Sequence, residues 1–349
     1  MIGVFERVDY PHESPATDGL ARLRGEGWSA FVKVVRSFRH WPRWASLPLE
    51  AREVLGDVSV WRQEVDLYTS DLGRVLPAGM RLPGLLGVVD LGDDRLMLVL
   101  EDVDVDPSPW DHERYARAAR LLGRLNVRMT ETAGLPRRST ERPAELVNIM
   151  YASRLLPVGL PALADDTAWR HPLLAGEAEL RADLAELARR LPALVEVATR
   201  LPQLHSHGDA TPHNLLVPRR EPDMFVVIDW AMASLAAAGD DLGQLLVGHA
   251  HDGVLGADDL PVLHDLLVHA YVAGLADEGY RLDEDLVRAG MNTGLSVRSA
   301  FTALPLDRLG EPITDEFAAV VAGRIELTRY LVDVGLQIDL ERALDASLA

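Results

Sequence analysis

Between His205 and Asn214 the chain packs imidazoles, a carboxylate and a carboxamide into ten residues, His205-Ser206-His207-Gly208-Asp209-Ala210-Thr211-Pro212-His213-Asn214, continued by Leu215-Leu216. An apolar strand, Met224-Phe225-Val226-Val227-Ile228, follows and ends on Asp229-Trp230. A polar cluster closed by an apolar strand, with a second carboxylate at its tip, is how a chain builds a metal–phosphate site. One Asp handles a nucleophile's proton, while an Asn and a second Asp hold the metal.

Composition narrows the surroundings of that site. At 349 residues the chain can bury one large core or two smaller ones. It is 48% hydrophobic and 26% charged, the balance of a soluble globular protein. It has no cysteine, which excludes disulfides and thiolate metal sites and fits a reducing compartment. Met1-Ile2-Gly3-Val4-Phe5-Glu6-Arg7 lacks the basic start and apolar core of a signal peptide. No apolar run approaches ~18 residues, so no transmembrane helix is expected. A cytoplasmic location follows as an expectation. The net charge of −19 argues against nucleic acid or an anionic membrane as partner. It suits a cationic small molecule, and it equally serves solubility alone.

Taken in order, the N-terminal part reads as an antiparallel meander. Val4 to Val8 and Gly19 to Arg24 alternate, and Gly25-Glu26-Gly27 is a tight-turn signal before Trp28 to Val35. Lys33 sits inside that apolar strand, where a buried ammonium needs a partner; an edge-strand lysine facing solvent is the plainer alternative. Apolar residues recur at helical spacing through Val60, Trp61, Val65 and Tyr68. Glu64 lies on or beside that face as a candidate partner, with Glu53 as the alternative. Leu85 to Leu91 and Arg95 to Leu100, joined by Gly92-Asp93-Asp94, form a hairpin. The shift to Asp and Pro after Val103 marks a boundary, giving an expected first domain of residues 1–103 and a second of 104–349. The second is expected to be mostly helical. Asp111 or Ser108 caps a helix through Leu125, and further helices cover about 145–155, 177–194, 241–251, 258–278, 283–302 and 312–335. Residues 156–176 read as an irregular or short-helix insertion.

Three motifs in order, His207-Gly208-Asp209-x-x-Pro212-x-Asn214-Leu215-Leu216, Ile228-Asp229-Trp230 and Gly239-x-Asp241-Leu242-x-x-Leu245-Leu246, resemble the aminoglycoside phosphotransferase / choline kinase-like family. These are small-molecule kinases. The resemblance implies an α+β, two-lobed protein-kinase-like fold, with a small antiparallel-sheet N-lobe for the nucleotide and a larger, mostly helical C-lobe carrying the catalytic loop and acceptor pocket. It implies that Asp209 is the catalytic Asp, that Asn214 and Asp229 are Mg²⁺ ligands, and that Lys33 holds ATP (or GTP) phosphates with Glu64 as its ion-pair partner. Glu101, Asp102 and Val103 would be the hinge whose backbone meets adenine. The turn from Glu13 to Gly19, with Ser14 and Thr17, would cover the phosphates. His207 and Asp241 would support the loop.

Departures from the kinase pattern are informative. No G-x-G-x-x-G is present, and the Asp-Phe-Gly equivalent reads Asp229-Trp230-Ala231. An Ala-Pro-Glu signature is absent, which argues against a protein kinase. The expected reaction is transfer of a γ-phosphoryl group to a hydroxyl of an antibiotic, such as an aminoglycoside or other hydroxylated natural product. A choline-, sugar- or homoserine-like metabolite is the alternative acceptor. The enzyme would be a monomer or homodimer. A remoter alternative is a zinc hydrolase built on His205, His207 and Asp209, completed by His213, His249 or His251. Asp252, Asn292, Arg298 and Asp307 are unranked candidates for the acceptor pocket; Arg298, on a helix, could equally pair with an internal carboxylate.

Overall fold

The computed structural model describes the whole chain except residues 1–2, 10–13, 48, 50–51, 54–55, 57, 140, 341 and 344–349. The chain divides into two units. The first comprises Met1–Pro109, Glu131–Glu141 and Asn214–Ala233, and the second Trp110–Thr130, Arg142–His213 and Ser234–Ala349.

The first unit is built on a five-stranded antiparallel sheet of β1 (Val4–Val8), β2 (Thr17–Gly25), β3 (Trp28–Arg36), β4 (Leu85–Gly92) and β5 (Arg95–Glu101), in the order β1-β2-β3-β5-β4. Two-residue turns set its registers. Gly25 pairs with Trp28 across Glu26-Gly27, where Gly27 has φ of 75°. Gly92 pairs with Arg95 across Asp93-Asp94, both with positive φ, the backbone that a twisted hairpin requires. On β3 and β5 alternate residues turn inward: Ala30, Val32, Leu96, Leu98 and Leu100 are buried. Helix α1 (Val58–Tyr68) packs on β3 and buries Trp61, Glu64, Val65 and Tyr68 together. A second, three-stranded sheet joins distant parts of the chain. Met80–Arg81 runs parallel to Phe225–Val227, which pairs antiparallel with Leu215–Leu216.

The second unit is helical: α2 (His112–Glu131), α3 (Glu145–Met150), α4 (Ala178–Arg200), α5 (Asp240–His251), α6 (Leu260–Asp277), α7 (Glu284–Arg298) and α8 (Asp315–Leu336) are its main elements. A two-stranded ribbon pairs Gln203–Ser206 with Ser234–Ala237. Asp111 caps α2 by accepting the Arg114 N–H at 2.8 Å. The α4 helix runs past the expected end at 194, through Pro192, because Leu194, Val197 and Ala198 continue its buried face. The helix expected over 145–155 is α-helical only to Met150 and then widens into a π-helix over Tyr151–Gly159. Pro157 within it has no N–H to give and crowds the preceding turn, and widening relieves both.

The helical stretch Glu145–Ala164 spans 20 residues at mean hydropathy 1.3, so by length and composition alone it could cross a membrane. One such helix is a weak sign, and Glu145 at its start is buried in protein.

Candidate active site

In the first unit Lys33 is buried on β3, opposite Leu20 and Leu98. Its Nζ lies 2.7 Å from Glu64 Oε2 on α1 and 2.8 Å from Asp229 Oδ1. The ammonium that a solvent-facing edge would have left free is thus held between two carboxylates, while Glu53 is exposed. Burial alone would push Lys33 toward neutrality; Asp229 and Glu64 outweigh it, and the pKa is raised. Glu64 moves the other way from an ordinary ion-pair carboxylate. It is 2% exposed against 34% for Asp229, so its burial exceeds the help from Lys33 and its pKa is pushed up to about 7.

Asn214 and Asp229 lie at neighbouring strand ends because their strands pair. Leu215 faces Val227, and the Ile228 N–H donates to the Asn214 carbonyl at 3.0 Å. Asp229 takes a left-handed backbone (φ 59°, ψ 64°), which turns the chain into the short Trp230–Met232 turn. Trp230 is fully buried, with Nε1 donating to the Val227 carbonyl at 3.1 Å, and this turn packs against α1. A carboxamide oxygen and a partly exposed carboxylate at neighbouring strand ends are hard donors of the kind Mg²⁺ takes, so this donor set fits that ion.

The other nucleotide-site candidates are engaged within the same unit. The Glu101 carboxylate is gripped by Arg81 at 2.7 and 2.9 Å and accepts the Gly84 N–H at 3.0 Å, which lowers its pKa. Asp102 accepts Arg22 Nε at 3.0 Å. With both side chains bound, what residues 101–103 can offer a base is backbone, Val103 included. Ser14 Oγ donates to Thr17 Oγ1 at 3.1 Å, and Thr17 is buried. Gly19 lies where the β2–β3 register slips, with open space where a side chain would start. Glu13 falls outside the described residues.

In the second unit the loop bearing Asp209 is fixed by its backbone. Asp241, near the start of α5, accepts the N–H groups of His207 at 3.0 Å and Gly208 at 2.8 Å. Buried His207 accepts the Asp209 N–H on Nδ1 at 3.2 Å. Gly208 has φ of 81°, a conformation that strains any side chain. Gly248 lets α5 approach the loop, since a Cβ there would stand 2.6 Å from Pro212 Cδ. Asp209 is half-buried, and its carbonyl accepts the Thr211 N–H at 2.8 Å.

Three further supports of this loop come from distant helices. Asn126 of α2 donates to the His205 carbonyl at 2.8 Å and to Asp241 at 3.1 Å, and Tyr271 of α6 donates to Asn126 at 3.2 Å. Arg298, a candidate for the acceptor pocket, is instead buried. It pairs with Asp240 at 2.9 Å and donates to the Gly208 carbonyl at 2.6 Å. For Asn126 the signal was a lone Asn on the apolar face of Leu122, Leu125 and Met129; nothing local marks Tyr271, and for Arg298 the internal-carboxylate alternative is the one the structure bears out.

His213 Nε2 lies 2.5 Å from Asp252 Oδ2, and its ring stands edge-on to His249, whose Nδ1 is 2.8 Å from Tyr115 Oη. A groove of about 560 Å³ opens here, walled by Trp110, Tyr115, Leu255 and Leu263, with Glu113 and Asp259 among its carboxylates. His249 and His251 are half-buried, and burial lowers both pKa values, His251 to about 4. Among the described residues no three His, Asp or Glu side chains are grouped as a bound metal would require, so the zinc-hydrolase alternative finds no support. Asn292 is half-buried and Asp307 exposed.

Residues 95–281 match the model of the APH phosphotransferase enzyme family. No curated protein matches the chain. Among solved structures, the microcompartment-associated aminopropanol kinase aligns over 96% of this chain and 94% of its own, with 16% identity and a TM-score of 0.53. The GDP and kanamycin complex of APH(2")-IIIa aligns over 94% and 92%, with 13% identity and a TM-score of 0.53. An aminoglycoside phosphotransferase from Alicyclobacillus acidocaldarius subsp. acidocaldarius aligns over 98% and 92%, with 14% identity and a TM-score of 0.51. At these identities the likeness is one of fold, the α+β protein-kinase-like fold expected from the motifs.

Proposed function

Since this chain belongs to the APH phosphotransferase enzyme family, we propose that it is a small-molecule kinase that moves the γ-phosphoryl group of ATP, or GTP, to a hydroxyl of an antibiotic or other hydroxylated natural product. The observation that carries this reading is the Lys33 ammonium held between Glu64 and Asp229 at 2.7 and 2.8 Å. A buried cation kept charged and fixed in place is what a phosphate-binding lysine requires.

In this reading Asp209 takes the proton of the acceptor hydroxyl as its oxygen bonds to the γ-phosphorus. The bond from that phosphorus to the bridging oxygen breaks, and the nucleoside diphosphate leaves with the electron pair. Catalysis of this kind is positioning and charge neutralisation rather than covalent chemistry by the protein. Asn214 and Asp229 hold the divalent ion, which when bound neutralises charge on the phosphates. Lys33 binds phosphate oxygens and Glu64 orients it. Asp241 holds the N–H of Gly208 and Arg298 its carbonyl, so the peptides on both sides of Gly208 are kept from turning and Asp209 meets its proton in one geometry. The groove by Trp110 and Tyr115 offers ring faces and carboxylates to the body of an acceptor.

The test is mass spectrometry on hydroxylated acceptors incubated with Mg²⁺ and ATP or GTP. The set comprises aminoglycosides, nucleoside and macrolide antibiotics, choline, sugars and hydroxy acids, with Asp209→Asn in parallel. A phosphoryl adduct absent from the variant is expected. Failure to bind either nucleotide would overturn the kinase reading.

A further inference from the structure

We propose that the groove beside Tyr115 receives the non-reacting end of the acceptor, and that this end is an apolar or aromatic body carrying an amine. The compound phosphorylated is then an amphipathic amino alcohol of drug size, neither a polyamino sugar nor a small alkanolamine. The proposal rests on the kinase reading above and names the acceptor class for it.

The groove lies within the helical unit, where the start of α2, the turn after α5 and the start of α6 converge. Its apolar wall is Trp110, Tyr115, Val254, Leu255 and Leu263. Tyr115 and Leu263 are buried, Trp110 and Leu255 are half-buried, and Val254 is 62% exposed. That exposed valine is held in place. Val254 and Leu255 both donate their N–H groups to the His249 carbonyl, at 2.9 and 3.2 Å, which folds the turn back onto the end of α5. The rings are fixed as well. Trp110 stands edge-on to Tyr115 at 5.1 Å and to His249 at 5.8 Å, and Tyr115 Oη lies 2.8 Å from His249 Nδ1. An apolar wall already fixed by its own contacts loses little freedom when a ligand covers it.

Charge sets the other half of the ligand. The polar wall is Asp111, His112, Glu113 and Asp259, with no Lys or Arg. Asp111 is spent on the α2 cap. Glu113 and Asp259 are exposed and make no ion pair among the described residues. The charge this groove favours is therefore positive, and the ring faces of Trp110 and Tyr115 favour the same sign. A polyamino sugar would supply that charge, but it would press hydroxyl and ammonium groups against Val254, Leu255 and Leu263, where no side chain can accept them. An apolar body with an amine at its edge loses no hydrogen bond there and gains from the area removed from water. At about 560 Å³ the groove suits a drug-sized molecule, and an alkanolamine of a few carbons would leave most of it unfilled.

The groove also adjoins the reacting loop. His249, paired with Tyr115, stands with its ring 5.3 Å from that of His213. His213 follows Asp209 by four residues, and Pro212 beside it comes close to Gly248 of α5. A molecule lying along Tyr115 is thus set against the imidazoles that border the Asp209 loop, with its hydroxyl end toward that loop.

The test has a binding arm and a turnover arm, with Leu255→Ser, Val254→Ser and the double variant Glu113→Gln with Asp259→Asn beside the wild type. In the first, ligands are titrated calorimetrically into protein already saturated with Mg²⁺ and a non-hydrolysable ATP analogue. The series is ethanolamine, phenylalaninol and a long-chain 2-amino alcohol, the N-acetyl forms of the last two, and kanamycin. Affinity should rise by about ten-fold or more from ethanolamine to the two apolar amines. N-acetylation, which removes the charge and keeps the body, should weaken binding about ten-fold. Each serine variant should weaken the apolar amines, Leu255→Ser by about ten-fold, and the double variant should erase the difference between each amine and its N-acetyl form. In the second arm, phosphorylation of the same series is followed by mass spectrometry and steady-state kinetics. The apolar amines should be phosphorylated, and Leu255→Ser and the double variant should raise their KM about ten-fold with kcat within about two-fold.

Apolar amines that bind no better than ethanolamine, or that bind every variant as they bind the wild type, overturn the groove's role alone when the nucleotide analogue still binds. Phosphorylation of kanamycin at a KM that no variant alters does the same. Failure of the analogue to bind overturns the kinase reading. Val254 is exposed, so its variant keeps the test decisive should Leu255→Ser misfold.

Discussion

The carbonyl oxygen of Gly208 accepts a hydrogen bond from Arg298 Nη2 at 2.6 Å, while Asp241 takes the N–H of the same residue at 2.8 Å. Gly208, the residue just before Asp209, is thus held on both of its flanking peptide groups, from α5 on one side and α7 on the other. Arg298→Lys keeps a charge for Asp240 but cannot reach both partners as a planar fork does. We expect kcat to fall about ten-fold or more, with KM for nucleotide within about two-fold. Arg298→Met also strands the buried Asp240 carboxylate and should cost about 3 kcal/mol of folding stability. Steady-state kinetics beside urea melts would check both, and an unchanged kcat in Arg298→Lys would remove the loop-holding role.

Asp209→Asn tests the chemistry rather than the scaffold. The amide preserves shape but cannot accept the acceptor's proton, so kcat should drop by about 10²- to 10⁴-fold. Nucleotide affinity, which the proposed roles assign to Lys33 and its partners, should stay within about two-fold. Turnover near the wild-type value would transfer the role elsewhere.

Much of this was legible from local pattern. Gly25-Glu26-Gly27 and Gly92-Asp93-Asp94 announce their hairpins because two-residue turns need backbone that few residues adopt. Lys33 on an apolar strand demanded a partner, and Glu64 on the buried face of α1 supplies one. Asp229 as a second partner was not readable, since it depends on a contact 196 residues away along the chain. The identity of Asp240 as the internal carboxylate that Arg298 pairs with, and the Tyr271–Asn126–Asp241 chain, were hidden for the same reason. Each joins helices whose own periodicity says only that they are buried. The π-helix arises from the conflict between Pro157 and a continuing apolar helix, and a periodicity argument sees only the second of these.

Glu64 gives the protein a pH signature. Its ordinary pKa of 4.5 rises to about 7 in the fold, so between these values the folded protein keeps a proton that the unfolded chain releases. The stability contributed by this group is therefore full below pH 4.5 and declines as pH rises through 7, by at most about 3 kcal/mol. The Lys33–Glu64 charge pair forms over the same rise. Urea midpoints of the wild type and Glu64→Gln between about pH 5 and 8 should diverge, with the variant flatter. Parallel curves would place the titration on another group.

The last expectation concerns how the loop is supported from a distance. Helices α2 and α6 cross through two glycines: a Cβ on Gly123 would meet the Tyr271 carbonyl at 2.4 Å, and one on Gly274 the Arg120 carbonyl at 2.0 Å. Both obstacles are backbone, which cannot swing aside as a side chain can. The close crossing is what lets Tyr271, one turn before Gly274, reach Asn126, one turn after Gly123. Asn126 in turn holds the His205 carbonyl and Asp241. Gly274→Ala should therefore push the helices apart and cost about 1–3 kcal/mol in a urea melt. It should also lower kcat, because the tie from Asn126 to the loop bearing Asp209 loosens. Gly279→Ala is the control, since it has open space but a φ of 81°; it should cost stability through backbone strain alone, about 1–2 kcal/mol, and leave kcat unchanged. If Gly274→Ala lost stability while its kcat matched the wild type at a temperature where both are folded, the crossing would be a matter of packing only and the Asn126 link would not govern the loop.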